Sequence, residues 1–451
     1  MRRENLLEAK MKTRISIVIL ITISFIGIAY PQSINKPKLD SLFDTLALKN
    51  KAMGSVAISK NGVLLYSRAI GYAYISDNEK KTATVHTKYR IGSITKMFTA
   101  TMIFQLIEEG KLTLATTLDK FLPSIPNAKQ ITIANLLHHN SGIHSYTDDP
   151  AYTTWRTEPK TEDDILSLIS KHGPDFQPGE KFSYSNSNYF ILGYIVEKIT
   201  GESYSQILSR RITSRIGLVN TYVGGKIEVA KDESCSYQFS GSWTHAPETD
   251  MSIPGGAGSI VSTPADLTKF IEALFSLKLV SQSSIDQMKN ITDGWGMGMF
   301  QIPFYERRAF GHNGGIDGFA STLSYFPEES LAVSYCTNGQ VYPMNDILIG
   351  VLSIYFNKDY TLPSFISLKS EDLDKYLGVY SSKLHPLKIT FTKTDSTLVG
   401  QATGQSQFPL EATEKNEFEF RQAGIVIHFD STASEFTLKQ AGGSYLFTKE
   451  K

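Results

Sequence analysis

The segment YRIGSITKMFTA, residues 89–100, joins a short polar motif to the start of an apolar helical pattern. Ser93 and Lys96 are three residues apart, and apolar residues follow at helical spacing as far as Gly110, a typical helix end. Residues three apart share one helix face, so the lysine amine can lie beside the serine hydroxyl. Free backbone N–H groups at a helix start also suit a developing oxyanion. The segment indicates either a nucleophile with its base or an N-capping serine followed by a surface lysine.

The Ser-x-x-Lys spacing alone is not specific, because it recurs at Ser33 and Lys36. The context distinguishes the two copies. Ser33 lies where an N-terminal signal would be cleaved, and no helix is expected behind it, whereas Ser93 stands where a helix begins. The surroundings of the motif therefore favour Ser93 as the candidate nucleophile.

The composition limits the possible functions of this 451-residue chain, whose length allows two or three domains. Its 45 basic residues balance its 45 acidic residues, so no net field attracts nucleic acid or an anionic membrane. Two cysteines cannot make a disulfide framework, and Cys336 ends the apolar run LAVSYC. A buried strand thiol is the interpretation we favour over a single bridge to Cys235.

The N-terminus predicts export. From Met11, basic residues precede an apolar run that is shorter than the roughly 20 residues of a membrane span. Small residues follow near Ala29, so residues 1–32 are predicted to be a signal peptide that is cleaved between Ala29 and Ser33. The expected location is the periplasm or the exterior of a bacterium, and an uncleaved membrane anchor is the alternative.

The hydrophobic pattern predicts an α/β (α+β) catalytic domain over residues 33–358. Strand-like runs lie near both of its ends, including a hairpin at Asn61-Gly62, and helices lie between them, which indicates one antiparallel sheet covered by helices. Residues 359–371 are predicted to be a linker. Eight short alternating runs in residues 372–451 then predict a small antiparallel barrel or sandwich.

Two further polar motifs stand at the ends of apolar elements. FSYSNSNYF contains Tyr184 and Asn186 directly ahead of a buried helical pattern, and FGHNGGIDGFAS contains His312 and Asn313 ahead of a strand. An active site can be built where such polar side chains meet.

In this order and context, the motifs resemble the serine β-lactamase and penicillin-binding protein superfamily. The resemblance covers roughly residues 40–355 and is strongest to the class C-like branch of lactamases, esterases and D-amino-acid peptidases. It implies an antiparallel sheet flanked by helices, with an all-helical subdomain. The C-terminal residues resemble the lipocalin-like extensions of some bacterial relatives, which could cover the active site or bind another ligand.

The resemblance assigns expected roles residue by residue. Ser93 would be the acylated nucleophile, Lys96 its base, Tyr184 the proton shuttle, and Asn186 a hydrogen-bonding partner of Lys96 and of a substrate amide. The Ser93 and Gly315 amides would form the oxyanion hole, and Asn313 and Gly314 would contact substrate. His312 departs from the lysine of many relatives, which weakens the case for carboxylate recognition and favours an esterase-like or D-aminopeptidase-like enzyme.

A metal site is not predicted in LLHHNSGIHSYTDD, despite its polar residues, because their spacing matches no zinc pattern. Helix-end and loop contacts are the expected roles of His138, His139, His144, Asp148 and Asp149. The resemblance likewise implies no metal and no cofactor.

The sequence thus predicts an exported serine hydrolase that acts through an acyl-enzyme on an ester, an amide or a D-amino-acid peptide. A non-hydrolytic sensor or scaffold, similar to a penicillin-binding protein, is the alternative. The expected partner is a small-molecule or peptide substrate, without nucleic acid and without a stable membrane span after signal cleavage. The sequence leaves the oligomeric state open.

Overall fold

A six-stranded antiparallel sheet forms the centre of the catalytic region. The computed structural model describes residues 34–240 and 242–450, so the predicted signal peptide, residues 1–32, lies outside the described residues. The strands up to residue 340 are β1 (Ala52–Lys60), β2 (Val63–Ile70), β3 (Tyr72–Ile75), β4 (Lys80–Thr82), β5 (Tyr89–Arg90), β6 (Tyr222–Val223), β7 (Tyr237–Phe239), β8 (Trp243–His245), β9 (Ile260–Ser262), β10 (Phe300–Phe304), β11 (Arg307–Ile316), β12 (Phe319–Phe326) and β13 (Leu331–Gln340).

The order in the central sheet is β10-β11-β12-β13-β1-β2, so strands from distant parts of the chain pair as predicted. β1 and β13 are antiparallel neighbours, with Ala57 opposite Ser334. The predicted hairpin at Asn61-Gly62 is confirmed, since both residues have positive φ angles between β1 and β2. Cys336 is a buried, free thiol in β13, as the apolar run predicted.

Helices cover the sheet and form the region between β5 and β10. They are α1 (Lys36–Leu48), α2 (Thr95–Glu108), α3 (Ile133–Leu137), α4 (Tyr152–Trp155), α5 (Glu162–Lys171), α6 (Asn186–Thr200), α7 (Tyr204–Leu208), α8 (Ser214–Ile216), α9 (Pro264–Phe275), α10 (Gln282–Met288) and α11 (Met344–Tyr355). α9 packs against β1, β12 and β13, while α2 packs against α6. These contacts place the start of α2 between the helical region and β11.

Local signals set several helix boundaries. Thr161 caps α5 through a capping box, Thr263 caps α9 ahead of Pro264, and Gly201 ends α6 in the left-handed conformation. One expectation is wrong: α1 begins at Lys36, so a helix does follow the Ser33–Lys36 copy of the motif. An asparagine cap at Asn35 and a proline in the first turn explain this start.

The C-terminal residues form a closed eight-stranded antiparallel barrel, which selects the barrel over the sandwich. Aromatic side chains fill its interior, including Tyr380, Phe391, Phe429 and Phe436. The strands are β14 (Gly378–Ser381), β15 (Ile389–Thr394), β16 (Thr397–Ala402), β17 (Phe408–Glu414), β18 (Glu417–Phe420), β19 (Ile425–Phe429), β20 (Glu435–Gln440) and β21 (Gly443–Lys449).

The barrel packs against the end of the central sheet. Lys51, just before β1, forms an ion pair with Glu411, and the Ile366 backbone N–H donates to the carbonyl of Ala412 at 3.1 Å. Since the chain from Asn35 onward forms one compact unit, the domain limits given above stay predictions. Within residues 34–240 and 242–450, no helix has the length and apolar character needed to cross a bilayer.

Candidate active site

Ser93 lies in a single 3-10 turn, Gly92–Ile94, that leads directly into α2. No side chain of the described chain caps this turn or α2, so the hydroxyl of Ser93 is not used as a cap. Gly92 has a φ of +49°, which glycine adopts without strain. A Cβ at this position would lie 2.8 Å from the backbone nitrogen of Gly315. Glycine therefore allows the Ser93 turn to contact β11 closely.

Lys96 is fully buried, which excludes the surface-lysine alternative. Its Nζ lies 3.0 Å from Ser93 Oγ and donates hydrogen bonds of 2.8 Å to Asn186 Oδ1 and to the carbonyl oxygen of Ala257. None of the carboxylates in the described part of the chain forms an ion pair with this amine, and burial lowers its pKa well below the ordinary value. The environment therefore favours a neutral amine beside the hydroxyl.

Tyr184 and Asn186 are brought to the same point at the start of α6. The centre of the Tyr184 ring lies 4.8 Å from Lys96 Nζ. Burial raises the pKa of Tyr184 above its ordinary value, and a hydrogen bond with the Ser93 side chain opposes that rise. The phenol is thus protonated at neutral pH and can relay a proton. Asn186 Nδ2 donates to Thr147 Oγ1 at 2.8 Å, a contact that sequence reasoning did not predict.

His139 is a second neighbour that sequence reasoning missed. Its buried ring stacks on Tyr184 with centroids 4.4 Å apart, and its Nδ1 accepts the backbone N–H of Ser185 at 3.1 Å. Burial, with a further contribution from Lys96, lowers the pKa of His139 well below its ordinary value. A helix-end role was expected, and His139 does follow α3, but nothing in the local pattern connects it to a tyrosine 45 positions later.

His312 lies in β11, and its ring is close to the rings of Phe300 and Tyr184. Its ring centroid is 4.2 Å from that of Phe300 and 6.3 Å from that of Tyr184. Nδ1 donates to the carbonyl of Asn313, and Nε2 is buried without a hydrogen-bond partner among the described residues. Burial, with a further contribution from Lys96, lowers the pKa of His312 to about 3. The imidazole is therefore neutral at physiological pH, with one free acceptor nitrogen.

The backbone of β11 passes next to the Ser93 turn. A Cβ on Gly314 would lie 1.9 Å from the Ile91 carbonyl oxygen, so only glycine fits at this contact. The same carbonyl accepts a hydrogen bond of 2.8 Å from Ser321 Oγ in β12. Gly315 follows and is exposed. The arrangement brings the backbone of Gly315 beside the nucleophile turn, where two amides can meet one oxyanion.

The other predicted residues have different positions. Asn313 is exposed on β11 and stays a predicted substrate contact. His144 Nδ1 lies 3.0 Å from a carboxylate oxygen of Asp175, and its ring stacks on His172. Across the ranges that the structure describes, no group of three or more His, Cys, Asp or Glu side chains is arranged to hold a metal ion.

Known proteins are similar to a large part of this chain. The family profile described as Beta-lactamase matches residues 42–350. The putative penicillin-binding protein PbpX of Bacillus subtilis (strain 168) is 32% identical over 273 residues, which are 59% of this chain and 65% of PbpX. The chain thus spans slightly less than two thirds of that relative.

Two further proteins relate the chain to enzymes. The teichoic acid D-alanine hydrolase of Staphylococcus aureus is 28% identical over 281 residues, which are 60% of this chain and 67% of that protein. Among solved structures, a D-stereospecific amidohydrolase from Streptomyces sp. has 27% identity and a TM-score of 0.61, covering 71% of this chain and 98% of the amidohydrolase.

Proposed function

Because the chain belongs to the β-lactamase family and is a serine hydrolase of that family, we propose that it releases D-amino acids from esters or amides. The proposed reaction passes through an acyl-enzyme on Ser93, and the enzyme is proposed to be exported. Export rests on the predicted signal peptide. The reaction rests above all on one observation, the buried Lys96 amine 3.0 Å from Ser93 Oγ.

The hydrogen bonds of Lys96 suit a base. A neutral amine has two N–H donors and one lone pair, and two carbonyl-type oxygens, Asn186 Oδ1 and the Ala257 carbonyl, accept within 2.8 Å. With both donors used, the lone pair is left for the Ser93 hydroxyl. A serine hydroxyl becomes nucleophilic when such a base takes its proton.

The proposed reaction has two steps. Ser93 Oγ bonds to the substrate carbonyl carbon as its proton passes to Lys96, and the Ser93 and Gly315 amides stabilise the oxyanion. The C–O or C–N bond to the leaving group then breaks, and that group takes a proton through the Tyr184 phenol. A water molecule attacks the ester on Ser93 in the same manner and releases the acid.

His312 supports the choice of substrate class. A neutral imidazole offers no permanent cation to a substrate carboxylate, and its free Nε2 is an acceptor that suits an N–H or O–H donor. The names of two similar proteins, the teichoic acid D-alanine hydrolase and the D-stereospecific amidohydrolase, refer to D-configured substrates. We therefore expect D-alanyl esters and D-amino-acid amides to be better substrates than penicillins.

The test is a comparison of the processed protein with its Ser93→Ala variant on p-nitrophenyl esters, D-alanine amide, a D-Ala-D-Ala peptide and nitrocefin. The wild-type protein should hydrolyse the esters and the D-amide and show a transient mass increase on Ser93. The variant should fold, as judged by its circular dichroism and melting temperature, and lose turnover. Undiminished hydrolysis by folded Ser93→Ala would refute the assignment. A permanent adduct without turnover would indicate the sensor alternative.

A further inference from the structure

A buried ion pair connects the two segments that carry the proposed oxyanion donors. Arg90 Nη1 donates to Asp317 Oδ2 at 3.1 Å, and the side chains are 2% and 0% exposed. Arg90 is at the end of β5, three residues before Ser93, whereas Asp317 follows the end of β11, two residues after Gly315. The pair therefore joins the nucleophile turn to the strand that runs beside it.

Asp317 is held by more than one partner. Its Oδ1 accepts from Arg156 Nη1 at 2.7 Å, from the Thr249 backbone N–H at 3.0 Å and from Thr249 Oγ1 at 2.6 Å. The donors that reach this carboxylate come from three separate segments, at Arg90, Arg156 and Thr249. The turn between β11 and β12 is thus anchored through a side chain, in addition to its strand pairing.

Arg90 is also held by several partners, through its two terminal nitrogens. Its Nη1 also donates to the carbonyl of Thr249 at 2.7 Å, while its Nη2 donates to the carbonyl of Gly225 at 2.8 Å and to Glu248 Oε1 at 2.5 Å. A guanidinium whose two terminal nitrogens both donate to several acceptors has little freedom to move. The chain that leaves Arg90 toward Ser93 consequently starts from a rigid point.

Between these two anchors the backbones touch directly. Glycines at 92 and 314 permit the contact, since a Cβ at either position would meet the backbone of the opposite segment within 2.8 Å. A displacement at Arg90 or Asp317 would therefore change the distance between the Ser93 and Gly315 amides.

We propose that the buried contact between Arg90 and Asp317 positions the two backbone amides of the oxyanion hole. This inference rests on the proposed function, because it concerns the same reaction. Both residues are positioning residues, since neither touches the reacting atoms. Donor geometry matters at this point because a misplacement of about 1 Å can cost on the order of 100-fold in rate.

The primary variant is Asp317→Asn, which keeps the size of the side chain but places an amide N–H₂ beside two arginines. We expect kcat and kcat/KM for a p-nitrophenyl ester to fall together by about 10- to 100-fold, with KM within about twofold. Affinity for phenylboronic acid, which forms a tetrahedral adduct with a reactive serine, should fall by a similar factor.

The matched control is Glu109→Gln. Glu109 forms a two-pronged pair with the buried Arg211 at 2.6 and 3.0 Å, and neither residue contacts the site. This variant should lower the melting temperature and leave kcat and phenylboronic acid affinity unchanged. A purely structural role of Asp317 would give the same result as the control.

The milder variant Thr249→Val keeps the inference testable if Asp317→Asn does not fold. It removes one donor to Asp317 and should give a smaller decrease in kcat, again with KM preserved. Folded Asp317→Asn or Thr249→Val protein with wild-type kcat and boronate affinity would overturn the positioning role. The Ser93→Ala result would be unaffected, so the two failures are distinguishable.

Discussion

Two buried basic side chains, Arg90 and Lys96, lie three residues before and three residues after Ser93, and they differ in their partners. Arg90 is buried and bonded to two carboxylates, whereas Lys96 is buried and bonded to an amide oxygen, a carbonyl and a hydroxyl. A buried charge is costly unless it is paired. Arginine keeps its proton and needs those carboxylates, while lysine can release its proton.

The difference explains how one short segment contains both a support and a base. With counter-ions, the buried cation stays charged and connects three or more chain segments. Without them, burial lowers the pKa of the amine and leaves a lone pair for chemistry. The partners of a buried basic side chain thus determine whether it stays charged and supports the site or becomes neutral and acts as a base.

The largest decrease in activity is expected when Lys96 is replaced by arginine, the residue at position 90. In Lys96→Arg the side chain keeps a proton at all accessible pH values, so it cannot serve as a base. We predict a decrease in kcat/KM of about 100- to 10,000-fold on a p-nitrophenyl ester. Lys96→Met, which is neutral and of similar length, should be equally inactive.

The pair of variants separates charge from basicity. If Lys96→Met retained activity while Lys96→Arg lost it, the amine would be unnecessary and only a buried charge would be harmful. If Lys96→Arg retained more than a tenth of the wild-type kcat/KM, the proposed base would be wrong. Melting curves of both variants provide the control for folding.

Local motifs in the sequence were sufficient to select the residues that the structure brings together around Ser93. Ser93 and Lys96 share a helix turn, while Tyr184 and His312 precede or occupy apolar elements whose type was predictable from periodicity. The Asn61-Gly62 pair similarly predicted the β1–β2 hairpin. Such signals are local, so one sequence contains them.

The contacts that tune the site could not be predicted. Asp317 is 227 positions from Arg90, and His139 reaches Tyr184 through tertiary packing. Neither contact leaves a spacing or a period in the sequence. The barrel shows the same limit, because alternation predicts strands but does not distinguish closure into a barrel from a sandwich.

The pH dependence gives the next prediction. The lowered pKa of Lys96 means that kcat/KM should be constant above that pKa and fall about tenfold per pH unit below it. Because the unfolded chain keeps the lysine proton up to a higher pH, the free energy of unfolding should rise with pH between the two pKa values. Initial rates and urea unfolding across pH measure both.

His312 provides the control for this profile. Its pKa of about 3 lies below the ordinary histidine value, so no inflection of kcat/KM should occur near pH 6.5. Stability from the neutral imidazole is fully present above about pH 6.5 and is lost as the pH falls toward 3. A limb near 6.5 that disappears in His312→Gln would instead assign the titration to the histidine.

The smallest effect on stability and activity is expected at a third basic residue, Lys51, where the barrel meets the sheet. Its ion pair with Glu411 resembles that of Arg90 in having a carboxylate partner, yet the two side chains are 19% and 22% exposed. Lys51 also lies 5.1 Å from the centre of the Phe365 ring, a contact that survives removal of the charge on Glu411. Because both side chains are partly exposed, water screens part of the attraction between Lys51 and Glu411 and can solvate Lys51 when its partner is neutral.

In Glu411→Gln we predict a change of less than about 1 kcal/mol in the free energy of unfolding, and no change in kcat or KM. Urea unfolding at low and at high salt measures the first, and ester hydrolysis measures the second. Asp317→Asn, in contrast, removes one of the two carboxylates that pair with the buried Arg90, and breaking a buried ion pair typically costs about 3–5 kcal/mol. Equal losses in the two variants would mean that burial does not determine the value of these pairs, and the contrast between Arg90 and Lys96 would lose its physical basis.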